Sequence, residues 1–380
     1  MKRLTSQDLH KYINKARVAQ LERYLLAMTQ RGLDEHYGRP YHNDEEALSQ
    51  KVMYFQALLL TPCDRRWMAK DIMNVPWLSA ENKVCNSSIG FWYGPTNYLV
   101  YLTGITDRAH GHIDFDRAYE DQDYVEELRG NIAFARKHKH PIWTTTELHT
   151  SIQTEARNYC RVKYKDSTRK ADSLDIVEWM AYLKKQGWAK KILEQKTLVD
   201  AFNVYCEPRG VGPYFGGNSV MMIANAREAP YSHEENFAAP GGGCVNTLDY
   251  LFEDLRAAGY KLNHLRALQW LVDEQEKLMP NLHIPIEFQN MDGHVGKVLK
   301  TDMLRYTANA FEVGCCQFSV YRKFLEQPEL IKRRLEVQWD LTPFKLREEA
   351  LKAGAKAKEA EAVVDDVLSD ANVRLDLLEF

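Results

Sequence analysis

Two short runs hold the residue types that chemistry on a nucleic acid would use. The first is EPRGVGPYFGG, residues 207–217. Before it, Leu198, Phe202 and Tyr205 fall at i, i+4 and i+7, one face of an amphipathic helix over 197–206. Gly210 and Gly212 flank a single valine, and Pro213 opens the next helix, where its missing N–H costs nothing. This layout fits a helix-hairpin-helix whose glycines bring backbone amides close to a phosphate. It equally fits an ordinary helix corner with glycines for close packing. The second run is FAAPGGGCVNTLDYLF, residues 237–252. Pro240 and three glycines lead into a helix near Val245, and amides there suit an anion cradle or a plain flexible loop. The run lacks the lysine and the spacing of a P-loop, so nucleotide hydrolysis is not indicated.

A third run, ARNYCRVKYKDSTRK (156–170), interleaves Arg157, Arg161, Lys163, Lys165, Arg169 and Lys170 with Tyr159 and Tyr164. Such a mixture suits phosphate tracking with base stacking, or a solvated helix face. FARKHKH (134–140) adds further cations. His110 and His112 stand close to Asp114 and Asp116, metal-ligand residue types. There is no HExxH, and alternating ligands in an acidic loop read as surface polar groups, so no metal is expected.

The elements that must position these runs are nearly all helical. Apolar periodicity predicts helices over 6–32, 45–72, 122–138, 172–196, 197–206, 213–227, 245–258, 263–278 and 301–325. Residues 82–105 read as a loop entering a helix near Pro95, and IPIEF (284–288) is the one short strand. From 326 the chain turns charged and Ala-rich, a helical tail. The 380 residues are 45% hydrophobic and 11% aromatic, enough for a sizeable core. Seven cysteines with no CxxC pair exclude a disulfide framework or a cysteine zinc site. No apolar run of membrane-spanning length and no signal peptide stand out, so a soluble, cytoplasmic protein is expected. The net charge of −3 means that any nucleic-acid contact must come from a local basic patch.

In order, GVGPYFGGNSVMMIAN, ENFAAPGGGCVNTLDYLF and CCQFSVYRKF (315–324) resemble the phage α-glutamyl/putrescinyl thymine pyrophosphorylases. These amino acid:DNA transferases share a helical fold with the helical domains of 5-hydroxymethyluracil DNA kinases. Gln317 and Val320 stand where the family carries Glu and Lys. The resemblance implies a mainly α, DNA-glycosylase-like domain with a helix-hairpin-helix. Its expected limits are 81–325, with an N-terminal helical segment (1–80) packed on it and the charged tail at 326–380.

The implied reaction is a base hypermodification in double-stranded DNA carrying a modified pyrimidine. An amine, putrescine or an amino acid, displaces pyrophosphate from a 5-(pyrophosphoryloxymethyl)deoxyuridine, with no cofactor. On this view Arg209, Gly210, Gly212, Arg161, Lys163 and Lys165 contact DNA, and Gly241, Gly242 and Gly243 form the base or anion loop. Phe91, Trp92 and Tyr93 stack the extruded base, while Asn97 and Asn246 read its edge. Glu147, Glu287 and Asp292 are the candidate bases or amine anchors. DNA glycosylases of this fold carry a catalytic aspartate after the hairpin, whereas AAPGGGC carries no carboxylate, so the glycosidic bond should stay intact. The alternatives are a glycosylase acting on a modified base, drawing on a carboxylate such as Asp249, and a non-catalytic helical DNA-binding module.

Overall fold

The computed structural model describes residues 4–36, 72–93, 98–107, 110–140, 150–170, 172–224, 226, 228–231, 237–282, 306, 308–327 and 341–376. The regular elements among them are helices, and the class is mainly α. Residues 45–71 and IPIEF lie outside the described residues. No described helix is long and apolar enough to cross a membrane.

The chain forms two compact units, Met1–Asn74 with Lys191–Glu336 and Val75–Lys190 with Val337–Phe380. The first begins with α1 (Ser6–Tyr12) and α2 (Lys15–His36). A single helix is expected over 6–32, but the chain steps between the two, where the Asn14 N–H donates to the Leu251 carbonyl at 3.0 Å. Thr5 and Asp8 close a capping box that starts α1.

The second unit takes α3 (Ala80–Tyr93), α4 (Tyr98–Thr103), α5 (Phe115–Glu120), α6 (Gln122–Lys137), α7 (Thr150–Lys163) and α8 (Asp175–Lys185). Here 82–93 is helix rather than the expected loop. Its Asn and Ser residues are buried and bonded: the Asn86 amide donates to the Asn82 and Ile113 carbonyls at 3.0 Å and accepts from the Ile113 N–H at 2.9 Å. Ser87 and Ser88 donate back to the Val84 carbonyl. Polar composition that reads as a loop thus ties a buried helix to its neighbour. Gly187, at φ +79°, ends α8 and divides the expected 172–196 helix from α9 (Trp188–Leu193).

The first unit resumes with α10 (Leu198–Tyr205), α11 (Pro213–Ile223), α12 (Gly242–Leu251), α13 (Glu253–Ala257), α14 (His264–Asp273), α15 (Gln275–Leu278) and α16 (Ala308–Glu326). Its core joins Leu21, Leu25 and Met28 of α2 to Leu248 and Leu251 of α12, Leu268 and Leu271 of α14, and Phe311 and Phe318 of α16. The tail supplies α17 (Thr342–Lys352) and α18 (Ala357–Asp376) to the second unit. Phe344 is buried against Tyr101, Phe134 and His140, and Arg347 donates to the Asn131 side chain at 2.8 Å.

Replacing Asn86 with Ala would strand both backbone groups of Ile113 in an apolar setting. The second unit should lose about 2–4 kcal/mol of stability, read by chemical denaturation.

Candidate nucleic-acid interface

The 207–217 run forms a tight corner between two helices. Thr197 caps α10, its hydroxyl accepting from the Asp200 N–H at 3.1 Å. After Cys206 the chain turns, and the Val211 N–H donates to the Pro208 carbonyl at 3.2 Å. Gly210 sits at φ +92°, a conformation that glycine adopts without strain. Gly212 does not: at φ −81° and ψ 165° it is an ordinary N-cap, and Pro213 follows in the first turn of α11. A side chain on Gly212 would meet open space. Of the two glycines, Gly210 alone takes a left-handed conformation. Arg209 is exposed beside them.

The next two glycines serve packing. A Cβ on Gly216 would overlap the Cys206 sulfur and crowd the Phe202 ring, and one on Gly217 would lie 2.8 Å from the Ala239 Cβ. These bare positions let α10 and the 237–241 segment close onto α11. Burial pushes the Cys206 thiol up to about 11, so it stays protonated at neutral pH.

The glycine run is seated rather than loose. Gly241, the N-cap of α12, lies so close beneath the Tyr214 ring that a Cβ there would overlap it. Gly243 rests on the Cys316 backbone, while Gly242 faces open space. The Gly241 N–H donates to Glu312 Oε1 at 3.0 Å, and Glu312 is only 2% exposed. Thr247 ties α12 to α16 through the Cys315 carbonyl at 2.6 Å. Beside them the Cys244 thiol is pushed well up by its hydrogen bond with Cys315 and by burial, which excludes a ready thiolate nucleophile.

The absence of a carboxylate from AAPGGGC is thus corrected in three dimensions. Glu312 comes from a helix far along the chain and places a carboxyl group at the start of α12. That group holds an amide which the anion-cradle reading leaves for a ligand. Sequence reasoning passed over Glu312. The available signal was its i, i+3, i+4 spacing with Cys315 and Cys316, which puts all three on one helical face.

Other expected site residues fall elsewhere. Phe91 and Trp92 belong to the second unit and are core residues, with Trp92 fully buried and 6.0 Å from the Trp179 ring. Neither presents a face to a base; their apolar rings fill the interior beside α8. Asn246 is exposed on α12, one turn beyond Gly242. Tyr93 closes α3, but its side chain lies outside the described residues, as do Asn97, Glu147, Glu287 and Asp292. Asp249 Oδ1 accepts from the His264 Nε2–H at 3.0 Å and is half-buried.

The basic run divides in two. Lys163 reaches inward to Glu178 at 2.7 Å, and Arg169 to Asp175 at 3.1 Å, both carboxylates being buried. Tyr164 also donates to Glu178 at 2.5 Å. Lys163 is thus ion-paired to a buried acid while remaining exposed itself. Cys160, Asp175 and Glu178 bring metal-ligand atoms within 4.8 Å of one another, but Lys163 and Arg169 already neutralise that cluster. Lys165 is exposed and Arg161 is half-buried. In the histidine loop, His110 pairs with Asp107 at 2.8 Å, Asp114 caps α5, and Asp116 receives Lys184 at 2.5 Å.

Residues 120–304 match the family model described as 5-hmdU DNA kinase, helical domain. No curated protein and no solved structure matches the chain. The matched segment takes in the basic run, the α10–α11 corner and the glycine run, and ends before Glu312.

Two glycine substitutions separate packing from ligand approach. Gly216→Ala should cost about 1–3 kcal/mol through overlap with Cys206. Gly212→Val should change stability by no more than about 1 kcal/mol while weakening binding to duplex DNA. Unaltered DNA affinity in a folded Gly212→Val protein would return the corner to a purely packing role.

Proposed function

We propose that this protein is a phage DNA-modifying enzyme that acts on a base derived from 5-hydroxymethyldeoxyuridine. The observation that carries this reading is the family match across 120–304, which contains the corner and the glycine run. Within that class we propose amine transfer. The C–O bond between the base's exocyclic methylene and pyrophosphate breaks, and the electron pair leaves with pyrophosphate. The amine nitrogen then forms the new C–N bond, and its proton passes to a base. The α10–α11 corner meets the DNA backbone through Arg209 and the open space at Gly212. Asn246 stands at the mouth of the glycine run to meet a base edge.

The carboxylate of Glu312 supports a specific division of labour. Its negative charge at the start of α12 favours a cation there, so the amine suits this end of the site better than departing pyrophosphate does. Glu312 acts as a positioning residue: it fixes Gly241 and sets the local field without needing exposure. The family match also supports a second reading, a helical module that binds 5-hydroxymethyldeoxyuridine DNA for a kinase activity carried elsewhere. The chain carries no P-loop signature of its own.

Duplex DNA bearing 5-(pyrophosphoryloxymethyl)deoxyuridine, incubated with putrescine or an amino acid, separates these readings. Nucleoside mass spectrometry should find an amine adduct, with pyrophosphate released in equal amount and the strand alkali-stable. Abasic sites would identify a glycosylase that uses the buried carboxylate, and bound but unchanged DNA would identify the module. Glu312→Gln keeps an acceptor for Gly241 while removing the charge. It should lower the transfer rate by about 10- to 100-fold with DNA affinity retained, and a rate equal to that of the wild type would remove Glu312 from the mechanism.

A further inference from the structure

Among the described helices, several close on a residue in the left-handed region. At Gly187, Gly259 and Gly354 the residue just past the helix takes a left-handed φ of +79°, +79° and +93°, as glycine does without strain. At the ends of α6 and α7 the same position is held by lysine, Lys139 at φ +59° and Lys165 at φ +53°. Both make the full closing pattern. The Lys165 N–H donates to the Val162 carbonyl and the Asp166 N–H to the Arg161 carbonyl, while Lys139 and His140 repeat this on Arg136 and Ala135. A lysine is strained where glycine is not, so its retention calls for something that its side chain supplies.

At α7 the surroundings say what that is. Asn158, Arg161, Val162, Lys165 and Ser167 line an open depression of about 540 Å³. Arg161 is steadied by its Nε, which donates to the Arg169 carbonyl at 3.2 Å. The helix carbonyls that would repel an anion are capped by the closing bonds. Asp166, the nearby carboxylate, is occupied with the Thr168 N–H and hydroxyl at 2.9 and 2.7 Å. Lys163 and Arg169 are paired with the buried Glu178 and Asp175. The wall of the depression thus offers two cations, an amide and a hydroxyl, donors matched to a tetrahedral oxyanion. Val162, 80% exposed at the rim, would lie against a sugar.

We infer that this depression is a seat for one backbone phosphodiester of DNA, with Arg161 and Lys165 as its charged contacts and Asn158 and Ser167 as neutral ones. The inference rests on the reading that the protein acts on DNA, but not on which reaction it performs. It gives the acidic chain an anchoring point separate from the α10–α11 corner.

The test uses the full chain, an unmodified duplex oligonucleotide and binding measured across a salt series. Lys165→Gly removes the charge and the strain together. It should melt at or above the wild-type temperature, bind DNA several-fold more weakly, and flatten the salt slope by about one unit. Arg161→Gln should do the same to binding and slope. Raised stability with unchanged affinity and slope would make Lys165 a solvated cap and overturn the inference while leaving the DNA-acting reading intact. Inorganic pyrophosphate, followed by calorimetry, separates the two anion sources. Pyrophosphate binding lost in Lys165→Gly with the DNA slope unaltered would assign the seat to a free anion and overturn the backbone assignment. Failure of the wild type to bind any DNA would overturn both readings, and absence of amine transfer with DNA binding intact would overturn only the reaction.

Discussion

The first unit depends on one contact that no side chain larger than hydrogen permits: the Gly241 backbone lying directly under the Tyr214 ring. That approach brings the Gly241 N–H within reach of Glu312 and joins α11, the 237–241 segment, α12 and α16 at one point. A carboxylate buried to this degree is costly unless it is paired and hydrogen-bonded. Here its compensation comes from an amide at a helix N-terminus, where the partial positive charge of the helix is concentrated. The glycine run and the acid are therefore mutually dependent. A loop free to move would withdraw one amide from Glu312, and an apolar residue at 312 would leave the Gly241 N–H without this acceptor.

The same economy of charge shapes the second unit. Asp175 and Glu178 are buried at the start of α8 and take Arg169 and Lys163 as partners. A run that looks uniformly basic in one dimension is split by this pairing into structural cations and outward ones. With an overall charge of −3, the outward remainder decides where a polyanion can approach. The inward pairs carry little of that attraction, because their field is cancelled locally by the acids they hold.

How much of this was legible depended on whether the determining partner lay nearby in sequence. The α10–α11 corner was readable because Leu198, Phe202, Tyr205, Gly210 and Pro213 encode it within sixteen residues. The periodic helices at 122–138 and 213–227 were readable for the same reason, and their ends moved only by a turn. The 82–93 helix was not, since Asn86 finds its partner Ile113 twenty-seven residues on and its polar character masks a buried role. Aromatics in that segment looked like stacking surfaces for a base. Nothing local distinguishes such a ring from one that, like Trp92, packs on a distant tryptophan. Glu312 was missed by the same logic, being separated by seventy-one residues from the amide it holds.

That separation bears on the chemistry of the site. A carboxylate carried by the loop itself would move with the loop and follow the ligand. One delivered from α16 is anchored in the core formed by Phe311, Cys315 and Phe318, so its position is set before any substrate arrives. A charge fixed in this way does not have to reorganise during reaction, and that is the condition under which electrostatic stabilisation is strongest. Its sign then becomes informative. A fixed negative group at the start of α12 opposes a second anion at the same place and favours an ammonium or a developing positive charge.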